Sequence, residues 1–285
     1  MKPDIVELVQ GIRGLVTLPD VFIRINQLVE KPDSTVAQIA EAIARDPAFT
    51  MRLLRVANSS FYGFSSSVDT VSRAISVIGT GQIRNLALST TIASSFAGLP
   101  NSLVSMDNFW RHSLYCALAA RLLARRAGRC DAEAVFTAGL LHDIGELVIF
   151  NRLPELAREA MQLVLDSAEI LGVHEAERRV IGFDHAQVGG ELARQWKLPR
   201  QLEECVAFHH APQEAAQFPR EAAIVHIANA LAVMAELDTL VHEDVSPIDA
   251  RAWETIGLDA GDILEPVVRE VQSAITEAEK LFVGK

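Results

Sequence analysis

Aromatic residues are scarce in this 285-residue chain: 6% are Phe, Trp or Tyr, against 49% hydrophobic overall. Interiors filled by Ala, Leu and Val rather than by rings and β-branched runs suit closely packed helices better than sheets. Cysteine is nearly absent. Cys116, Cys130 and Cys205 show no paired spacing, which excludes a disulfide framework and fits a reducing compartment. Long apolar runs are missing too. The longest, Ala222 to Ala235, is about 14 residues and carries His226 and Asn229, too short and too polar for a bilayer span. The opening MKPDIVELVQ has acidic residues where a signal peptide needs an apolar core, so a cytoplasmic protein with no membrane association is expected. Gly79-Thr80-Gly81 lacks both a preceding strand and the continuation of a phosphate loop, and reads as a turn between helices. No organic cofactor is expected.

Charge is unevenly distributed. The net charge is −11, yet residues 1–130 hold 14 Lys+Arg against 9 Asp+Glu, and residues 131–285 hold 12 against 28. Nucleic-acid binding, which depends on neutralising phosphates, is not expected of so acidic a whole. The arginines at 121, 125, 126 and 129 could offer a basic patch, but such a run is ordinarily a solvated helix face.

What is abundant is helix punctuation, with no sustained alternation of period two. Ser34-Thr35 followed by Gln38 predicts a capping box, and Asp46-Pro47 an N-cap with proline at the first helical position. Asp69 is expected to cap TVSRAISVI, which Gly79 closes. A long helix over 108–127 follows. Asp131 then caps a helix that holds FTAGLLHDIGELVIF, Pro154 opens one running to about Leu171, and Asp184 caps HAQVGGELARQW. Pro199 and Pro219 open two more, and residues 246–283 form a further pair. The expected class is an all-α, multi-helix bundle: a helical part over 1–100, a second over 101–240, and C-terminal helices over 241–285.

Inside the oily segment FTAGLLHDIGELVIF, His142 and Asp143 are adjacent ionisable groups, and burying such a pair is costly unless each finds a partner. More imidazoles surround them in sequence: His112 in FWRHSLYCA, His185 in FDHAQVGGEL, and His209-His210 in CVAFHHAP. Imidazoles with a bridging carboxylate are the ligands that one or two divalent metals require. Cys205 and His209, like His112 and Cys116, share a helix face, but buried thiols are common core residues and a cysteine nucleophile is the weaker reading. His226 reads as a satisfied core histidine, and His174 and His242 as surface residues. The loop with Ser59, Ser60, Ser65, Ser66 and Ser67 carries Phe61, Tyr62 and Phe64, either as recognition groups or as rings packed inward.

The order His, His-Asp, Asp-His-Ala, His-His resembles the HD superfamily of metal-dependent phosphohydrolases. With LPDVFIRINQLVE, DPAFTMRLLRVANSSFYG and TVSRAISVIGTGQIRNLALS ahead of it, the chain resembles more closely the HDOD family, an output-type relative in bacterial signalling proteins. The resemblance runs from about Gly14 to His210 and weakly to Leu237. It implies one metal on His112, His142, Asp143 and a late Asp, and a second on Asp143, His185, His209 and His210. Two departures stand out. The late Asp position falls at Asn229, and Glu146 stands where hydrolytic relatives carry the lysine of HDIGK, replacing a phosphate-pairing cation with an anion. No GYP follows the paired histidines, so the likeness to cyclic-dinucleotide phosphodiesterases fails there. The expectation is a regulatory module that works by binding, with a degenerate metal site for Fe, Mn, Zn or Ni. The alternative is a phosphohydrolase with weak activity on a phosphoester or nucleotide. The expected partner is a regulatory protein, with a phosphorylated small molecule as a further candidate.

Overall fold

A computed structural model describes residues 3–13, 20–59, 67–96, 103–167, 171–240 and 247–282, without side chains at 12–13, 89–96 and 281–282. Among these residues there is no strand and helix accounts for 78%, in keeping with the expected all-α class. The chain divides into two units: Met1–Val16 with Gly98–Ile275, and Thr17–Ala97 with Thr276–Lys285. The first helix, α1 (Ile5–Arg13), belongs to the larger unit.

The smaller unit is built from α2 (Asp20–Glu30), α3 (Val36–Ala44), α4 (Pro47–Ala57), α5 (Val71–Ile78) and α6 (Thr80–Phe96). Local chemistry sets most of its boundaries. The Thr35 side chain accepts from the Gln38 amide while Gln38 returns the favour to the Thr35 amide, and Asp46 accepts from Phe49 N–H at 2.9 Å. The cap of α5 is Thr70, not Asp69: Thr70 has the extended backbone a cap needs and its hydroxyl accepts from the Arg73 amide. Gly79, at φ +98, turns α5 into α6 as a helix-to-helix turn should. Inward-facing Phe22, Ile25, Ile43, Leu53, Ile75 and Ile83 form its core. Of the serine- and aromatic-rich loop, residues 60–66 lie outside the described residues.

The larger unit continues with α7 (Met106–Ala127), α8 (Ala132–Leu141), α9 (Ile144–Arg152), α10 (Pro154–Asp166), α11 (Val173–Val180), α12 (His185–Gln195) and α13 (Arg200–Ala207). A short 3-10 turn, Pro212–Glu214, leads to α14 (Pro219–Leu237), α15 (Ala250–Ile256) and α16 (Ala260–Phe282), whose last turns are counted with the smaller unit. At the centre, α7 packs between α8 and α14. Its buried residues include Ala117, Ala119, Ala120 and Ala124, and those of α14 include Ala222, Ala223, Ala228, Ala232 and Ala235, small side chains that favour close approach of the helices. Among the described residues no helix is long and apolar enough to cross a membrane.

Three expectations need correction here. The segment with His142 and Asp143 is not one helix: α8 ends at Leu141 and α9 begins at Ile144. The helix from Pro154 stops at Asp166, and a separate amphipathic helix, α11, follows it. The arginine run on α7 is neither a free basic patch nor simply a solvated face. Arg121 is buried and bound to Glu133 at 2.6 Å, Arg125 approaches the same carboxylate at 3.6 Å, and Arg126 pairs with Glu270.

Candidate metal centre

The break between α8 and α9 creates the site. Asp143 occupies the N-cap position of α9 but makes no side-chain cap hydrogen bond, so both carboxylate oxygens remain available. Two residues on, Gly145 sets how closely α9 can lie on α12. A Cβ built there would sit 2.0 Å from the His185 carbonyl oxygen and 2.7 Å from the Gly189 nitrogen, so only hydrogen fits between the two backbones. That approach carries His185, the first residue of α12, up to Asp143. On the other side of α12, Asp184 caps the helix in a box with Gln187 and receives Arg178 Nε at 2.6 Å. His209 and His210 follow the end of α13, and His112 reaches in from the middle of α7.

The oxygens of Asp143 face two sets of imidazoles. Oδ2 lies 3.0 Å from His142 Nε2 and 3.6 Å from His112 Nε2. Oδ1 lies 3.3 Å from His185 Nε2 and 3.5 Å from His209 Nε2. His210 Nε2 joins the second set, 2.9 Å from His185 Nε2. All six residues named from the sequence therefore converge, and Asn229 and Glu146 line the same cavity.

Each Nδ1 of four of these rings is occupied away from the centre. His142 Nδ1 donates to Gly139 O and His209 Nδ1 to Val206 O, both at 2.8 Å. His185 Nδ1 meets Glu177 Oε2 at 2.7 Å, and His112 Nδ1 meets Glu236 Oε2 at 2.9 Å. An imidazole whose Nδ1 holds a proton for an outer acceptor presents the Nε2 lone pair inward, the arrangement found around metal-binding histidines. The residues also fit a metal by what they lack. Buried His142 Nε2, Asp143 Oδ1 and His209 Nε2 have no hydrogen-bond partner, although each lies close to another of the three or to its neighbours. Orphaned buried polar atoms cost about 1–3 kcal/mol apiece, a penalty a shared cation would relieve. Three groups of side chains meet the spacing for a metal here: His112, His142 and Asp143; His185, His209 and His210; and Glu146, Glu177 and His185.

Electrostatics separate the rings. Burial opposes charge on His142 and His185, yet Asp143 beside the first, and Glu177 with Asp143 beside the second, raise both well above the usual imidazole range. Burial, with His142 and His185 nearby, lowers His209 to about 4, and burial with His209 and His185 lowers His210 well below normal. Those two rings are neutral and already in the form a metal binds. Burial and the Asp143 charge push Glu146 up to about 8, so the expected fixed anion at this position is a carboxyl that holds its proton at neutral pH in the metal-free protein.

Two residues of this region were not singled out in the sequence. Glu177 and Glu236 orient His185 and His112; the readable sign was Glu236 lying seven residues after Asn229 on one face of α14. His174, expected at the surface, instead stacks on His210 with ring centroids 3.8 Å apart and lines the cavity. His242 lies outside the described residues. His226 is satisfied as expected, with Nδ1 donating to His209 O and Nε2 accepting from the Asp249 amide. Cys205 is fully buried and its thiol is pushed well up by that burial, which disfavours a nucleophile.

Comparison with known proteins agrees with this architecture. A protein from Geobacter sulfurreducens, described as an HDOD domain protein of unknown function, superposes with a TM-score of 0.72 at 25% identity, covering 98% of both chains. A protein from Shewanella amazonensis, named as a candidate phosphohydrolase, gives 0.74 at 26% identity over 96% of this chain and 97% of its own. A curated, uncharacterised protein of Treponema pallidum (strain Nichols) is 26% identical over 208 residues, and the match spans 69% of this chain and 38% of that relative's length. The profile of the HDOD domain itself matches residues 15–212, through both units and every one of the clustered histidines, and the chain belongs to the HDOD family.

Proposed function

We propose that this chain is a regulatory module whose larger unit holds one divalent metal ion on Asp143, His185, His209 and His210, and that it works by binding, not turnover. Fe, Mn, Zn or Ni each suit a site of imidazoles and one carboxylate. The observation that carries this reading is Asn229 Oδ1 at 3.1 Å from His112 Nε2. It puts a neutral amide on the nitrogen that the first ligand set would need, where the resemblance implies a carboxylate. An amide supplies no charge, so a second cation beside the first meets uncompensated repulsion. A bound divalent ion supplies a Lewis acid and acidifies a coordinated water, but two-metal phosphoryl transfer also requires charge neutralisation of the phosphate. Among the described residues no Lys or Arg lines the cavity to provide it. The output of such a module is a change in its contacts with a regulatory protein partner.

The alternative, a weak metal-dependent phosphohydrolase, is favoured by one feature: Asp143 directs one oxygen at each ligand set. The test is elemental analysis of untagged protein, followed by assays on phosphodiesters and nucleotides with Mn²⁺ or Fe²⁺. About one metal per chain, lost in Asp143→Asn, with no turnover is the expected result. Robust metal-dependent hydrolysis by the wild type, abolished by Asp143→Ala, would overturn it.

A further inference from the structure

The ligand side of the centre is a cavity of about 480 Å³, within the range that holds a small molecule. Its apolar lining is made by Val104, Phe109, Val173 and Val233. The polar lining, apart from the histidines, is Asp143, Glu146, Glu236 and the amides of Asn108 and Asn229. Among the described residues no Lys or Arg lines it. Glu146 cannot compensate a phosphate in either protonation state: as a carboxyl it offers one hydrogen bond, and as a carboxylate it repels. Glu236 is held by His112 at the mouth and adds a second acidic group. An oxyanion entering here would give up its hydration with no Lys or Arg to pair it, among carboxyl groups and hydrocarbon.

We propose that the open face of this centre receives an uncharged, partly apolar molecule with a lone-pair donor, the chemistry of a nitrogen heterocycle, in preference to a phosphate. The donor atom meets the metal, the body of the molecule lies on the valine and phenylalanine lining, and the two asparagine amides are the neutral hydrogen-bonding groups within reach of its edge. Apolar surface removed from water contributes to affinity in proportion to its area, so a larger heterocycle binds more tightly than a bare one. His174 and His210, stacked on each other, also line the cavity and add aromatic surface to it.

The inference rests on the metal-centre reading, and its test separates the two. Full-length protein is loaded with Co²⁺ and its visible spectrum titrated, in separate experiments, with imidazole, 4-phenylimidazole and inorganic phosphate. The expected result is 4-phenylimidazole at least tenfold tighter than imidazole, and phosphate weaker than both. Glu146→Lys should tighten phosphate at least tenfold, while Val173→Ser should reduce the advantage of the phenyl group without changing imidazole. Failure to take up Co²⁺ would overturn the metal centre itself. Cobalt-loaded protein that takes phosphate more tightly than 4-phenylimidazole would overturn the ligand class alone.

Discussion

Glu177 accepts from both the backbone amide of His185, at 2.8 Å, and its ring Nδ1, at 2.7 Å, with almost no exposure to solvent. A carboxylate in that position fixes the ring's rotation and tautomer together, and raises the basicity of the Nε2 turned toward Asp143. Glu177→Gln keeps the shape but donates where it should accept, so the variant is expected to fold and to bind metal about 10–100-fold more weakly. Isothermal titration with Zn²⁺ or Co²⁺ checks this, and unchanged affinity would reduce Glu177 to a structural acceptor. The residue was invisible in the sequence because its function depends on α11 folding back beside α12, a tertiary event with no local signature. By contrast His112, His142, Asp143, His185, His209 and His210 were legible. Ionisable side chains inside apolar helical segments demand an explanation one at a time, and their order in the chain matches that of a known family.

At the scale of elements, the crossing of α9 on α12 is set by two backbones in contact at Gly145 and Gly189. A methyl at residue 145 meets backbone atoms, which cannot rotate away as a side chain would, so Gly145→Ala is expected to cost about 1–3 kcal/mol or more. Metal binding should fall with stability, because separating α9 from α12 also separates Asp143 from His185. Thermal melts and metal stoichiometry measure both, with Gly81→Ala as the control, where nothing lies within 4 Å of an added Cβ. Wild-type melting and stoichiometry at Gly145→Ala would refute the close-contact argument. Helix starts such as Thr35, Asp46, Asp131 and Asp184 were readable because a cap and its amide lie within three residues of each other. The break at His142-Asp143 was not. It interrupts an apolar run with good helix-forming residues, and its cause is packing of the following turn against a distant helix.

For the molecule as a whole, acid stability offers a separate check. Glu204 is buried on α13 and accepts from the amides of Gln217 and Phe218, at 2.9 and 3.0 Å, and from Arg200 Nε at 2.9 Å. Burial pushes its pKa up, but the two amides and the arginine outweigh it and hold the carboxyl below the usual range. Since the folded pKa lies below the unfolded one, this stability is present above the unfolded value and lost as pH falls through the folded value. Glu204→Gln should therefore lose about 1.5–3 kcal/mol at neutral pH, the worth of hydrogen bonds to a charged group, and show a flatter acid limb in denaturation. Identical acid curves for the two proteins would remove Glu204 from the account. The division into units also bears on how the chain is assembled. Helix α1 packs on α9 and α12, the helices that bear Asp143 and His185, yet all of the smaller unit's main segment lies between them in sequence. During synthesis α1 is therefore made long before its binding surface exists, and Leu8 and Val9 must wait, unburied, until α12 leaves the ribosome. Such long-range closure is slow and leaves apolar surface open to other chains. The metal centre is thus among the last features of the molecule to form, and its completion reports that the early and late parts of the chain have found each other.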